Sequence, residues 1–323
     1  MKVATFFNPQ TPWELGQLVV VSDDLSSYAP ADCPNLQEAI AHDACAAGGE
    51  LRFPFDATDC MAPLPRAYQF LDASAYVNHV ALVRQARGAE MPENFWTNPL
   101  MYQGVSDNLL GPTANIEGDP AWGMDFEAEV AVITHRIPMG ASADEAAEAI
   151  RFLVLLNDIS LRNLIPDELA KGFGFVQSKP PSAFAPVAVQ ANSCPGWDGR
   201  KLHGTMKVDL NGRPFGRTET GVDMTFDFGE LLAHAAKTRP LGVGTILGSG
   251  TISNRGADGG PGRPVADGGL GYSCIAEQRM VETILEGAPK TPFLQPGDRV
   301  KIWMDDDNGN SIFGEIDQEV RAL

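Results

Sequence analysis

The chain has 323 residues, enough for one large domain or two of ordinary size. With 44% hydrophobic and 20% charged residues its composition is globular, which argues against disorder. A formal net charge of −18 repels phosphate backbones and excludes nucleic acid as an expected partner; an anionic small molecule needs a cation or local basic groups to approach.

The amino-terminal stretch MKVATFFNPQTPWELG has no long apolar core behind its lysine and does not read as a signal peptide. No apolar run is long enough to span a bilayer, so no membrane partner is expected. The cysteines, Cys33, Cys45, Cys60, Cys194 and Cys274, are odd in number and contain no CxxC. They read as free thiols of a cytoplasmic protein rather than a disulfide framework or a zinc site.

Taken in chain order, LGQLVVVSDD (15–24) predicts a strand entering a turn. PNLQEAIAHDACAAGG (34–49) predicts a helix ended by Gly48 and Gly49. Residues 1–65 read as a small separate β-rich domain, joined by the Pro-rich MAPLPRAYQF to a main body over 66–323. There DFEAEVAVIT (125–134) alternates as a strand. Ser142 and Glu145 form a capping box opening a helix through ADEAAEAIR, and RFLVLLNDIS (151–160) predicts a buried strand. HGTMKVDLNGRPFGRTET is a hairpin about Asn211-Gly212. TFDFGELLAHAAKT is a helix stopped before Pro240, and the last 25 residues or so form a hairpin turning at Asn308-Gly309. The acidic DDDNGN at that turn lacks the ligand spacing of a calcium loop. The fold class expected is α+β, dominated by strands.

Three short stretches carry the chemistry. In Met124-Asp125-Phe126-Glu127-Ala128-Glu129-Val130, strand periodicity puts Glu127 and Glu129 on one face. On a solvated face their repulsion costs little; if buried, they call for a cation or a proton. All-oxygen carboxylate ligands select Mg²⁺, Ca²⁺ or Mn²⁺ over zinc or copper. In Leu155-Leu156-Asn157-Asp158-Ile159-Ser160-Leu161-Arg162, Asp158 ends an apolar run. Its partner is either Arg162, in a local ion pair, or the same metal. The third stretch, Phe70 to His79, places Asp72 and His79 seven residues apart. His79 is either a structural hydrogen-bonder or, beside a metal, a general base.

In chain order, Asp72 and His79, then Glu127-Ala128-Glu129, then Asn157-Asp158 to Arg162, then a lysine and Gly248-Ser249-Gly250-Thr251-Ile252-Ser253 resemble the fumarylacetoacetate hydrolase family from about Asp72 to the carboxyl terminus. The resemblance implies a mixed β-sandwich roll, with residues 1–65 supplying the small amino-terminal domain of longer members. It implies a divalent cation, Mg²⁺ first and Ca²⁺ or Mn²⁺ as alternatives, held by Asp72, Glu127, Glu129 and Asp158. His79 matches the water-activating base and Glu277 its acidic partner, with one residue of play in the alignment. Arg162 and Lys179 match the cations that stabilise developing negative charge. Thr251 and Tyr102 match substrate-contacting residues.

The chain also departs from mammalian-type fumarylacetoacetases. Ile165 replaces a glutamine, Leu169 and Ser74 replace tyrosines, and Pro180-Pro181-Ser182-Ala183 replaces a flexible S-F-G-T stretch. Ser74 and Ile165 therefore join the expected substrate-binding set. The implied activity is metal-dependent hydrolysis of a carbon–carbon bond in an acylpyruvate or related 2,4-diketo acid, by a homodimer. Decarboxylation, hydration or keto–enol isomerisation on the same scaffold, and a non-catalytic metal-stabilised binding protein, are the alternatives.

Overall fold

The computed structural model describes residues 1–8 and 15–323. Residues 9–14, part of the stretch read above for a signal peptide, lie outside the described residues.

The chain opens with an antiparallel meander of β1 (Lys2–Phe6), β2 (Gln17–Val21), β3 (Ser27–Pro30) and β4 (Phe53–Pro54). Between β3 and β4 lies α1 (Leu36–Ala41), capped by Asn35. This helix is shorter than expected and does not end at the glycine pair. It stops at His42, and Asp43 turns the chain with φ 48°, a left-handed conformation that Asp tolerates. Residues 44–49 are drawn back beside β3: Ala47 pairs with Ala31, and Gly48 donates to the Pro30 carbonyl. All five cysteines are free, as expected, although the sulfurs of Cys33 and Cys45 approach to 3.0 Å. The MAPLPRAYQF segment is packed into the body, with Ala62, Leu64 and Ala67 buried.

The main body continues with β5 (Phe70–Ala73), α2 (Val77–Ala86), β6 (Met101–Gln103), β7 (Ile116–Gly118), β8 (Met124–Asp125) and β9 (Ala128–Thr134). Next come α3 (Ala143–Glu148), opened by the Ser142/Glu145 capping box, and β10 (Ile150–Asn157). They are followed by β11 (Ser160–Leu161), α4 (Ile165–Lys171), β12 (Ala183–Phe184) and β13 (Val187–Gln190). β14 (Thr205–Leu210) and β15 (Arg213–Glu219) form the predicted hairpin. Asn211 and Gly212 both take positive φ, 54° and 72°, as a tight two-residue turn requires. α5 (Phe228–Ala235), β16 (Thr245–Gly248), α6 (Ile275–Glu286) and the closing hairpin of β17 (Arg299–Asp305) and β18 (Ser311–Ala322) complete the fold. The acidic turn of that hairpin closes on itself, Asp306 accepting from the backbone of Asn308 and Asn310.

Two sheets dominate. The larger runs β4-β3-β2-β1-β13-β10-β9-β16-β5-β6, with β12 beside β10. Because β1 pairs with both β2 and β13, the strands of the first 65 residues and those of the main body are hydrogen-bonded into one sheet. The smaller sheet runs β15-β14-β17-β18-β7, and β8 and β11 form a separate pair. Pairing is mixed, with β16/β5 and β18/β7 parallel among antiparallel neighbours. Every residue of β9 is buried, as is nearly all of β10, as expected of strands covered on both faces. β17 and β18 alternate instead, with one face inward. The sheets are tied where Asn157, ending β10, donates from Nδ2 to Gln318 Oε1 on β18 at 2.8 Å. This is the strand-dominated α+β sandwich that was expected.

Candidate active site and metal centre

Strand register brings the acids together. On β16, Gly248 lies opposite Asp72 of β5 on one side and Ala131 of β9 on the other. Glu129, on β9, pairs with Leu156 of β10, and Asp158 follows β10 directly. Glu127 precedes β9 and does not belong to the strand; its backbone N–H donates to Asn157 Oδ1 and its carbonyl accepts from Asp158 N–H. The solvated-face reading of the two glutamates is overturned: Glu127 is 5% and Glu129 0% exposed. Asp72 and Asp158 are buried too, and one carboxylate oxygen from each of the four lies within 4.8 Å of the others.

Four buried acids this close repel one another, and two cations, the buried Lys179 and the partly exposed Arg162, answer part of that charge. Lys179 Nζ sits 2.5 Å from Asp158 Oδ2 and 3.3 Å from Glu127 Oε1. Arg162 Nη2 sits 2.7 Å from Glu127 Oε1, while its Nε donates to Asp125 Oδ2 at 2.8 Å. The alternative of a local Asp158–Arg162 pair is therefore corrected. Asp158 is held by Lys179, by the Tyr102 hydroxyl at 2.6 Å and by the Ser182 hydroxyl at 2.8 Å.

Electrostatics divides the four. Burial opposes ionisation of Glu127, yet Lys179 and Arg162 hold its carboxyl well below the usual range. Burial, then the charge of Asp158, pushes Asp72 up; burial, then the charge of Asp72, pushes Glu129 up. Asp72 Oδ1 and Glu129 Oε1 are buried with no hydrogen-bond donor. Gly248 keeps the space beside them open, since a Cβ there would stand 2.2 Å from Asp72 Oδ1 and 3.0 Å from Glu129 Oε2. Two orphaned oxygens, an all-carboxylate donor set and a glycine-lined cradle fit a hard divalent cation.

Beside this cluster stands a second unit. His79, in the first turn of α2, places Nδ1 2.6 Å from Glu277 Oε2 in the first turn of α6. Within the one residue of play in the alignment, Glu277 is the carboxylate that meets His79. Its other oxygen accepts from the Ser253 hydroxyl at 2.9 Å, and Ser253 in turn accepts from Asn78 Nδ2. Asp125 fixes the start of α6 by accepting from the backbone N–H groups of Ile275 and Ala276 at 2.8 and 2.9 Å. Since Arg162 binds Asp125, one network runs from the acid cluster to the histidine's partner.

A cavity of about 460 Å³ opens onto both units. Of the expected site residues, Asp72, Ser74, His79, Tyr102, Glu127, Arg162, Ile165, Lys179 and Thr251 line it, while Glu129, Asp158 and Glu277 stand behind that lining. Sequence reasoning missed Asp125, Ser253, Ser182, Gly248 and Phe175. Two of these had a visible signal: Asp125 shares the alternation of Glu127 and Glu129, and Ser253 closes the S-G-T-I-S motif. Phe175, whose ring meets Tyr102 edge-on at 5.2 Å, had none.

A mixed sheet whose strand ends gather four buried acids about one point defines a scaffold able to hold a divalent ion. The chain belongs to the fumarylacetoacetate hydrolase family, since residues 70–321 match the family model described as fumarylacetoacetate (FAA) hydrolase C-terminal. It is 28% identical to an uncharacterized protein of Pyrococcus abyssi over 180 residues, 55% of this chain and 75% of that one. Its fold is similar to that of a probable 2-hydroxyhepta-2,4-diene-1,7-dioate isomerase from Mycobacterium abscessus, with TM-score 0.65 and 19% identity over 100% of this chain and 99% of the other. It is also similar to maleylpyruvate hydrolase from Sphingobium sp. SYK-6 in complex with manganese(II) ion and pyruvate. There the TM-score is 0.60 with 16% identity, over 100% of this chain and 99% of the other. At such identities the likeness is one of fold, and the similar structures include both a hydrolase and an isomerase. Among the described residues no helix is long and apolar enough to cross a membrane.

Proposed function

We propose that the protein is a metal-dependent hydrolase that cleaves the carbon–carbon bond of an acylpyruvate or similar 2,4-diketo acid. The observation that carries the reading is the His79–Glu277 pair at 2.6 Å, facing the same cavity as the four-acid cluster. Isomerisation or decarboxylation needs enolate stabilisation but no activated water; a His–Glu pair at the cavity favours hydrolysis.

A divalent ion held by Asp72, Glu127, Glu129 and Asp158 supplies Lewis acidity and a template for the substrate oxygens, with Mg²⁺ or Mn²⁺ suited to the donor set. Glu277 accepts a hydrogen bond from Nδ1–H of His79, which leaves Nε2 as the base for a water in the cavity. That water attacks the acyl carbonyl, and its proton passes to His79. Lys179 and Arg162 stabilise the resulting oxyanion, a role worth about 10²–10³ in rate per donor. Collapse breaks the bond to the methylene carbon. The departing pyruvate enolate takes the proton back, giving pyruvate and a carboxylic acid. Tyr102, Thr251, Ser74 and Ile165 shape the substrate's seat. We further propose a cytoplasmic homodimer, the state the family resemblance implies.

His79→Ala tests this directly, assayed on acylpyruvates with Mg²⁺ or Mn²⁺ present. The expected fall in kcat is about 10²–10⁴-fold. Unchanged turnover removes the base assignment and with it the hydrolase reading.

A further inference from the structure

Resting on that reading, we propose that the substrate's acyl tail is apolar: the site takes an alkyl- or aryl-acylpyruvate rather than a dicarboxylate such as fumarylpyruvate. The cavity has two unlike parts. Its polar part holds Asp72, His79, Glu127, Arg162, Lys179 and Thr251. Its apolar lining is Leu100, Met101, Ile165, Leu169 and Phe175. Ile165 and Leu169 are one turn apart on α4 and so share a face. Leu169, 53% exposed, stands at the mouth. Phe175 lies against the ring of Tyr102, whose hydroxyl reaches back to Asp158.

A volume of about 460 Å³ exceeds what a pyruvyl group alone fills, so the tail enters the apolar part. A second carboxylate there needs a cation of its own. The only lysine or arginine side chains lining the cavity, among the described residues, are Arg162 and Lys179, and both are ion-paired at the acid cluster, where the proposed mechanism also uses them. Arg162 lies between Asp125 and Glu127, and Lys179 between Asp158 and Glu127. An anionic tail would be desolvated against hydrocarbon with no counter-charge, and the net charge of −18 adds to the penalty. An alkyl or aryl tail loses nothing there and gains burial. Two of these apolar residues, Ile165 and Leu169, are positions where the chain departs from mammalian-type fumarylacetoacetases.

The test is equilibrium binding by calorimetry to the full chain with Mn²⁺ present, using 2-oxohexanoate and 2-oxoadipate. These 2-oxo acids have equal chain length and differ in a terminal methyl or carboxylate. We expect 2-oxohexanoate to bind at least about tenfold more tightly. Leu169→Arg, at an exposed position that accommodates it, is expected to narrow or reverse the preference, and Leu169→Gln, uncharged, is not. Equal or tighter binding of 2-oxoadipate to the wild type overturns the inference and leaves the hydrolase reading standing. Binding needs no turnover, so a failed cleavage assay does not obscure the outcome. If neither acid binds, the inference falls, and the His79→Ala turnover assay judges the hydrolase reading by itself.

Discussion

Two groups of buried carboxylates share this site and are stabilised in opposite ways. Glu277 is complete within the chain: one oxygen meets His79 and the other the Ser253 hydroxyl. The four-acid cluster is not, because Lys179 and Arg162 answer Glu127 and Asp158 while Asp72 Oδ1 and Glu129 Oε1 have no donor. Carboxylates equally buried are thus satisfied by neighbours in one place and left with open acceptors in the other, which supports the proton-handling role proposed for the first and the cation-holding role proposed for the second. Glu168 is a third case, outside both units. It accepts from the backbone of Val176, Gln177 and Ser178 and from the Ser178 hydroxyl, and so ties down the loop leading to Lys179.

The contrast can be broken at three points. The largest effect is expected from Gly248→Ala. Its methyl group would fill the cradle beside Asp72 and Glu129, reducing Mn²⁺ affinity by about 100-fold and activity with it, while the His79–Glu277 pair is untouched. Calorimetry with Mn²⁺ checks this, and unaltered affinity would show that the cluster does not hold the ion. Ser253→Ala should act on the other unit alone: kcat falls about tenfold and the pH profile of kcat/KM shifts, with Mn²⁺ affinity unchanged. The smallest effect concerns Glu168, whose carboxyl is held at about 2 by the Ser178 hydroxyl and the backbone N–H groups. A depressed carboxyl stabilises the fold above its unfolded value and loses that contribution as pH falls toward the folded one. Wild type should therefore lose stability between about pH 4.5 and pH 2 more steeply than Glu168→Gln, read as Tm against pH. Parallel curves would deny the loop tether.

Much of this was legible because it is local. The Asn211-Gly212 turn, the Ser142/Glu145 capping box and the continuous apolar run of β10 each declare themselves within a few residues. The order of acids along the chain carried the site through family resemblance. What escaped was non-local. Nothing in MKVATF says that β1 will pair with residues 187–189, because strand partners are chosen by the whole sheet. Nor does the sequence say that Arg162 turns to Asp125 instead of Asp158, four residues away, since that choice follows from where β8 and α6 meet. Whether Glu127 and Glu129 face water was undecidable from alternation alone; the covering of both faces of β9 decides it. Gly248 reads as one more glycine until its neighbours on either side are known.

The most direct measurement is a Mn²⁺ titration of the purified full chain, by calorimetry or electron paramagnetic resonance, beside the Asp72→Asn/Glu129→Gln double variant. The account predicts one tightly held ion per wild-type chain and none in the variant. A wild type that binds no ion, or a variant that binds as the wild type does, would contradict it.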